Sequence, residues 1–323
     1  MTATGLALAA LIVSAALAQP RSVTIGSFEI AWTWNLGLGN EFPGAQGQYE
    51  LDKHDPHSGA ACARLTGDFS GGGAYVAIIR NIDPPIMMER VTFWARSTDT
   101  GVVVVRLVDA TGQMHQGNVS FATDGKWHEL GVGVPQGWAH WSGANDGVFH
   151  QPLTGIWLDL DRGQTKTGKG GTIWFDDVAV MTGGPLAEQQ FDLRAGRATL
   201  GDLDIVAQPV NPEWGAWLMR VVVSNRGKKA AEVAAEADPQ YVAPWAVPTE
   251  RTGRATVAGG QAAELAIRLP APTCQHLANE VRVTVGAGEG QATVVAAMAG
   301  RQAPASPPGT PRPAIELPRN PLG

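Results

Sequence analysis

Residues Val102–Gln116, VVVVRLVDATGQMHQ, decide the fold of the first half of this chain. The stretch predicts a β-hairpin: an outgoing strand of β-branched residues, a tight turn at Thr111-Gly112 and a returning strand. With the two hairpin strands included, nine short β-rich runs separated by Gly, Asp and Asn turns fill residues 22–182, with no convincing helical pattern. We therefore predict one antiparallel jelly-roll β-sandwich over 22–182.

A second β pattern follows Gly183-Gly184-Pro185, a turn-forming sequence that we take as a domain boundary. Seven candidate strands over residues 188–299, rich in Ala and Val, predict a smaller immunoglobulin-like β-sandwich with no evident site. Residues 300–323 carry seven prolines and predict an extended linker or tail. The predicted fold class is therefore all-β, with a jelly roll followed by a smaller sandwich.

The composition excludes several kinds of protein. The 323 residues carry a net charge of −6, and the absence of a long basic cluster argues against nucleic acid as a partner. The two cysteines, Cys62 and Cys274, are more than 200 positions apart, so no disulfide framework is expected. Core burial must therefore supply the stability.

The N-terminal residues predict export. Residues 4–18, TGLALAALIVSAALA, are apolar and uncharged, and Ala16-Leu17-Ala18 fits a signal peptidase site. The run is shorter than the roughly 20 residues that a membrane span needs. We predict a signal peptide over 1–18 and a secreted or cell-surface protein without a membrane span. An uncleaved anchor is the alternative.

Strand alternation predicts one binding face. Where core residues occupy one side of a strand, the residues between them occupy the other. If the non-core sides of the candidate strands align, they make one surface bearing Trp94, Arg106, Gln116, Trp157 and Asp159. Planar polar groups and indole rings suit a hydroxyl-rich ligand such as a sugar. The alternative is that Arg106 only neutralises Asp159 within an ordinary sandwich.

A loop of unusual composition lies beside these strands. Residues Trp138–His150, WAHWSGANDGVFH, hold two tryptophans, two histidines and an aspartate among small residues. Aromatic loops above a rigid scaffold commonly mark binding sites, which makes Trp138 and Trp141 further candidate ligand contacts. They could instead close the end of the sandwich. His140, Asp146 and His150 are the candidates for an enzymatic alternative, a β-sandwich glycosidase or polysaccharide lyase.

Enzymatic motifs are poor. The seven histidines show no HExxH spacing, and neither a GxSxG elbow nor a phosphate loop occurs. Three carboxylates are candidates for a shared site: Glu29 lies in the first predicted strand, and Asp176 and Asp177 lie in the last. The terminal strands of a jelly roll are often neighbours, so hard oxygen ligands for Ca²⁺ could come together there.

Five segments carry a family resemblance: FEIAW, HSGAACARL, GGGAYV, VRLVDATGQ and IWFDDVAV. In order and spacing they resemble the non-catalytic jelly-roll modules of bacterial polysaccharide-degrading enzymes, which share the galactose-binding-like fold. The resemblance covers about residues 22–182. It implies a structural calcium held by Glu29 and Asp177, less by Asp176, with backbone carbonyls near His57–Gly59.

The order of predicted domains resembles the N-terminal portion of a multidomain glycoside hydrolase, although no segment here has the roughly 250 residues of a (β/α)₈ catalytic barrel. The leading hypothesis is a secreted, non-catalytic protein that binds a polysaccharide or oligosaccharide. The alternatives are the enzyme described above and a cell-surface spacer with a calcium clamp. Sandwich folds host all three roles.

Overall fold

A computed structural model of the chain describes residues 21–183, 191–241, 251–272 and 278–300. The predicted signal peptide, Cys274 and the tail beyond Gly300 lie outside these residues. Strands and two short 3₁₀ turns form the regular structure, which confirms the all-β prediction. Within the described ranges, no helix has the length and apolar character needed to cross a bilayer. The chain divides into two compact units, 1–188 with 211–216, and 189–210 with 217–323.

The first unit contains twelve described strands in two antiparallel sheets. They are β1 Arg21–Gly26, β2 Asn35–Gly37, β3 Gln46–Asp52, β4 Cys62–Asp68, β5 Tyr75–Ile86, β6 Arg90–Arg96, β7 Val102–Val108, β8 Met114–Ser120, β9 His128–Gly133, β10 Ala139–Trp141, β11 Leu153–Asp161 and β12 Gly170–Thr182. Sheet A has the order β3-β4-β12-β6-β9, with β1 also paired to β12. Sheet B has the order β10-β8-β7-β11-β5-β2.

The core lies between these two sheets. Ile156, Leu158 and Leu160 of β11 are completely buried on its inner side, as are Phe93 of β6 and Phe175 of β12. They belong to one hydrophobic cluster, so the inner faces of both sheets are fixed by their apolar alternation. Residues at the intervening positions of β7, β8 and β11 consequently project from the outer face of sheet B.

The nine predicted strands of this unit are all present. Three were missed: β2 and β10 are only three residues long, and β3 lies in the polar run Gln46–Asp52. Such strands form because neighbouring strands offer unpaired backbone groups, a property of the assembled sheet that local alternation does not carry.

The first unit includes a segment from much later in the chain, Asn211–Ala216, which we call the strap. The backbone N–H of Trp214 donates to Thr24 O at 2.9 Å, and its indole Nε1 donates to Pro84 O at 2.6 Å. At Gly215, φ is +71°, and a Cβ there would lie 2.4 Å from Asp83 O. Glycine is therefore required at the tip. The predicted limits 22–182 omit this segment.

The second unit has nine described strands, against seven predicted. They are β13 Phe191–Arg194, β14 Gly196–Leu200, β15 Leu203–Glu213, β16 Ala216–Asn225, β17 Ala231–Pro239, β18 Thr252–Val257, β19 Ala262–Leu269, β20 Ala278–Ala287 and β21 Gly290–Gly300. They form sheets β13-β21-β20-β17-β18 and β14-β15-β16-β19. One of the seven predicted strands ran without a break over 198–206, and this is wrong, because Gly201, at φ +58°, turns the chain between β14 and β15. The immunoglobulin-like topology stays a prediction.

Candidate functional site

Strand register places four of the predicted ligand contacts on the outer face of sheet B. Gln116 of β8 lies opposite Arg106 of β7, and Arg106 lies opposite Trp157 of β11. Asp159 follows two positions along β11, opposite Val104. The register thus brings Arg106, Gln116, Trp157 and Asp159 to one face, and their role as ligand contacts stays a prediction.

Arg106 is the centre of this face. Its side chain is only 7% exposed, and Nε lies 2.9 Å from both Gln116 Oε1 and Asp159 Oδ2. The N–H is directed at Gln116, and Glu41 Oε1 lies 3.7 Å from Nη1. Contacts with an amide and two carboxylates hold the guanidinium in one orientation, which a long side chain in water would not keep.

Three aromatic rings surround the same guanidinium. Its carbon lies 4.0 Å from the ring centroid of Tyr75, 5.3 Å from that of Trp157 and 5.6 Å from that of Trp141. These distances are in the range of cation–π contacts. Tyr75 is buried and donates its hydroxyl hydrogen to Glu41, whereas Trp141 and Trp157 are only half-buried. The two indoles thus keep apolar surface available beside a fixed cation.

Burial controls the charge of Asp159. Its side chain is completely buried, and the loss of solvation raises its pKa to about 8, although the charge of Arg106 opposes the shift. The negative charges of Asp161 and Glu41 add to the rise. Asp159 supports Arg106 from below the surface and does not itself face solvent.

A buried carboxylate anchors the loop that follows Trp141. Asp109 Oδ1 accepts hydrogen bonds from Thr111 N at 2.8 Å and Gln113 N at 3.0 Å, and Oδ2 accepts one from His150 N at 3.0 Å. Burial alone would raise the pKa of Asp109, but these donors outweigh it and lower the pKa to about 2. Gln113 Nε2 adds a bond to Val148 O at 2.8 Å. The loop is thus tied to the β7–β8 turn.

Among the residues of the enzymatic alternative, Asp146 is not tuned as a general acid. His150 Nε2 lies 3.0 Å from Asp146 Oδ2 in an exposed pair, and Asp146 Oδ1 accepts the N–H of Val148 at 2.9 Å. These bonds lower the pKa of Asp146, whereas a general acid needs a raised pKa. His140 is exposed and lies against Gly147.

Two predicted contacts lie elsewhere. Trp94 is on β6 of sheet A, where its ring stacks on His57 with centroids 3.7 Å apart. Its predicted alignment with Arg106 is wrong, because β6 pairs with β9 and β12 and joins the opposite sheet. Trp138 packs against the core beside Gly117, where an added Cβ would lie 2.5 Å from the indole. This packing agrees with the alternative stated for it, closure of the end of the sandwich, which stays a prediction.

Glu41 and Tyr75 belong to the site but were not predicted. The pairing of β5 with β11 sets Tyr75 opposite Asp161 and two positions from the Asp159 pair, and this register is a property of the assembled sheet. Glu41 lies outside any strand, in the connection between β2 and β3. No pattern in the sequence brings it to Arg106.

The predicted calcium ligands converge on one loop. Glu29 Oε1 accepts Ala60 N at 2.7 Å, and Asp177 contacts His57 Nδ1 at 2.6 Å through Oδ2 and Ser58 Oγ at 2.8 Å through Oδ1. Asp176 is buried, and its Oδ2 accepts His57 N at 2.9 Å. Burial raises the pKa of Asp176 to about 6. Hard oxygens are present, yet the described part of the chain holds no cluster of three acidic, histidine or cysteine side chains suited to a metal.

Comparison with known proteins gives structural likenesses only. No protein-family model and no curated protein matches the chain. A family 11 carbohydrate-binding module of a cellulosomal cellulase of Clostridium thermocellum is similar at 11% identity and TM-score 0.39, over 50% of this chain and 94% of that one. Cellulose-induced protein Cip1 is similar at 16% identity and TM-score 0.30, over 51% of this chain and 98% of that one.

An exo-β-agarase is also similar, at 11% identity and TM-score 0.34, over 51% of this chain and 25% of that one. The match therefore spans about a quarter of the agarase chain. At such identity and TM-score, these likenesses assign no ligand to this chain.

Proposed function

We propose that the outer face of sheet B binds a polysaccharide and that the protein does so without catalysis. The observation that carries the proposal is the Arg106 guanidinium, held by Gln116 and Asp159 beside the half-buried rings of Trp141 and Trp157.

The chemistry of the face suits sugar hydroxyls. An arginine fork and an amide each offer two hydrogen-bonding atoms in one plane, which matches pairs of adjacent hydroxyls. Indole faces pack against the C–H side of a sugar ring, and such amphipathic rings are typical of binding surfaces. The site lies on paired strands, so little ordering is needed on binding and the polar groups are pre-oriented.

The carboxylates of the face are arranged for support. Glycosidases need two carboxyl groups positioned on either side of the scissile bond. Asp159 is buried beside Arg106, and Glu41 accepts the hydroxyl of Tyr75, a bond that contributes to its lowered pKa. Desolvation works against that lowering, yet the hydrogen bonds and Arg106 prevail. A low pKa disfavours a general acid at this position.

Affinity electrophoresis against a panel of neutral and acidic polysaccharides tests the proposal. We expect one or more glycans to retard the protein, and Trp157→Ala to abolish most of the retardation. Trp94→Ala is the matched control, because that indole lies on sheet A. No retardation by any glycan, or equal loss in both variants, would contradict the proposal.

We further propose that calcium binds between Glu29 and Asp177 and stabilises the loop His57–Ala60. Both carboxylates already contact this loop, and Ca²⁺ prefers such hard oxygen ligands. Thermal unfolding in millimolar calcium should occur at a higher temperature than in chelator, and Glu29→Gln should remove the difference. An identical Tm with calcium and with chelator would leave the loop held by its hydrogen bonds alone.

Secretion is proposed from residues 1–18. Expression with these residues, followed by mass spectrometry of the exported protein, should give a chain that starts near Gln19. Retention of the full chain inside the cell would contradict this.

A further inference from the structure

A group of buried polar atoms on the strap side of the first unit has no hydrogen-bond partner. They are Tyr49 Oη, Arg80 Nε, Glu213 Oε1 and Trp34 Nε1. Buried donors and acceptors are almost always paired, because an unpaired one loses its hydration without compensation. Several unpaired atoms in one region therefore require a common explanation.

The other side-chain polar atoms of Arg80 and Glu213 already have hydrogen-bond partners. Arg80 Nη1 donates to Thr33 O at 2.7 Å, and Nη2 donates to Trp214 O at 2.5 Å. Glu213 Oε2 accepts the N–H of Ser27 at 2.9 Å and its hydroxyl at 3.1 Å. The remaining Glu213 Oε1 lies 3.7 Å from Arg80 Nη2, too far for a direct hydrogen bond.

Tyr49 interacts with the same two charged groups. Tyr49 packs against the core from β3; burial raises the pKa of its hydroxyl, the charge of Glu213 raises it further and that of Arg80 lowers it. The Trp34 indole lies against Gly26, with Nε1 2.8 Å from the position of an added Cβ. Gly26 is followed directly by Ser27, the partner of Glu213. Tyr49, Arg80 and Glu213 are therefore close enough to interact electrostatically, and Trp34 lies beside the Gly26-Ser27 segment that bonds Glu213.

The hydrogen-bonding chemistry of these unpaired atoms determines which kind of molecule can bind between them. Indole, guanidinium and phenol groups all offer a hydrogen, so a metal cation would meet positive dipoles and the charge of Arg80. A free anion would meet the carboxylate of Glu213. A small neutral molecule that both donates and accepts satisfies Arg80 Nε, Tyr49 Oη and Glu213 Oε1, and these atoms have no exposed surface. We propose that Tyr49, Arg80 and Glu213 enclose a buried site for ordered water.

The water links the strap to the strands beneath it. It accepts from Arg80 Nε and Tyr49 Oη and donates to Glu213 Oε1, the strap oxygen that accepts no hydrogen bond from the protein. Glu213 on the strap is thereby joined through one bridge to β3 and β5. Buried waters of this kind typically make about three hydrogen bonds and are costly to remove.

A crystal structure of the whole protein at a resolution that shows waters tests the site directly. We expect electron density within roughly 2.7–3.2 Å of at least two of the atoms Tyr49 Oη, Arg80 Nε and Glu213 Oε1. A direct bond between Tyr49 and Glu213, or an empty space, would overturn the proposal.

Tyr49→Phe provides a test in solution. If water bridges the hydroxyl, removing it should lower Tm by about 2–4 °C, the usual effect of one lost hydrogen bond in a domain of this size. Tyr241→Phe is the matched control, since that hydroxyl donates to Pro270 O at 2.7 Å and its loss has the same chemistry. An unchanged or raised Tm for Tyr49→Phe would show a hydroxyl without a partner and would overturn the proposal.

Discussion

Arg106 Nε lies 2.9 Å from Asp159 Oδ2, and both side chains are buried although they occupy the outer side of sheet B. Desolvation makes each charge costly, and their proximity offsets part of that cost. The pair orients the arginine toward Gln116 and beneath two half-buried indoles. A buried pair thus supports a binding surface rather than the core.

Arg106→Lys tests the planar fork. Lysine keeps the charge but loses the second donor pair and the flat face that lies over Tyr75, so we expect polysaccharide affinity to fall roughly tenfold or more. Isothermal titration with the glycan found by electrophoresis measures this. Arg220→Lys, an exposed residue paired with Glu264, is the control and should bind normally. Equal affinity of the two variants would remove Arg106 from the site.

Asp159→Asn tests the pKa of about 8. In the unfolded chain this carboxyl titrates near its usual value of about 4, so the folded state holds the proton more tightly. The stability that this tighter proton binding adds to the folded state is complete below about pH 4, and it is lost as pH rises through about 8. Urea unfolding of the natural protein should give a free energy that falls across this range. The slope should be smaller in Asp159→Asn, and identical slopes would contradict the shift.

Asp109→Ala should destabilise the first unit by about 3 kcal/mol, because one buried and two part-buried N–H groups lose their acceptor together. It should also weaken polysaccharide binding, since the loop after Trp141 loses its anchor. Chemical unfolding and titration measure the two effects. Asp124→Ala, which removes an exposed acceptor of Lys126 N, should cost less than about 1 kcal/mol. Similar losses of stability in both variants would show that Asp109 contributes no more than an exposed hydrogen-bond acceptor.

Trp214→Ala tests the strap. The side chain packs against the core of the first unit and bonds Pro84 O, so we expect a loss of about 2 kcal/mol or more. Thermal unfolding followed by near-ultraviolet circular dichroism measures it. Phe42→Ala, whose ring is 56% exposed, should leave Tm nearly unchanged. An unchanged Tm for Trp214→Ala would mean that the strap adds no stability.

Local alternation carried most of what could be predicted about the site. Arg106, Gln116, Trp157 and Asp159 were placed on one face, because core residues beside them leave a strand only one other side. Trp94 follows the same alternation, yet its predicted position on the face of Arg106 is wrong. Alternation states which side of its own strand a residue takes, and it does not state which sheet that strand joins.

The sequence by itself determined the all-β class, the nine main strands of the first unit and the β7–β8 hairpin, because these follow from periodicity and turn residues over a few positions. Only the tertiary structure decided that Glu41 and Tyr75 meet Arg106, that Trp94 lies on the other sheet, and that the strap completes the first unit. These contacts join residues up to 190 positions apart, as in Thr24 and Trp214. Their formation depends on the burial and pairing of whole sheets, which no local pattern encodes.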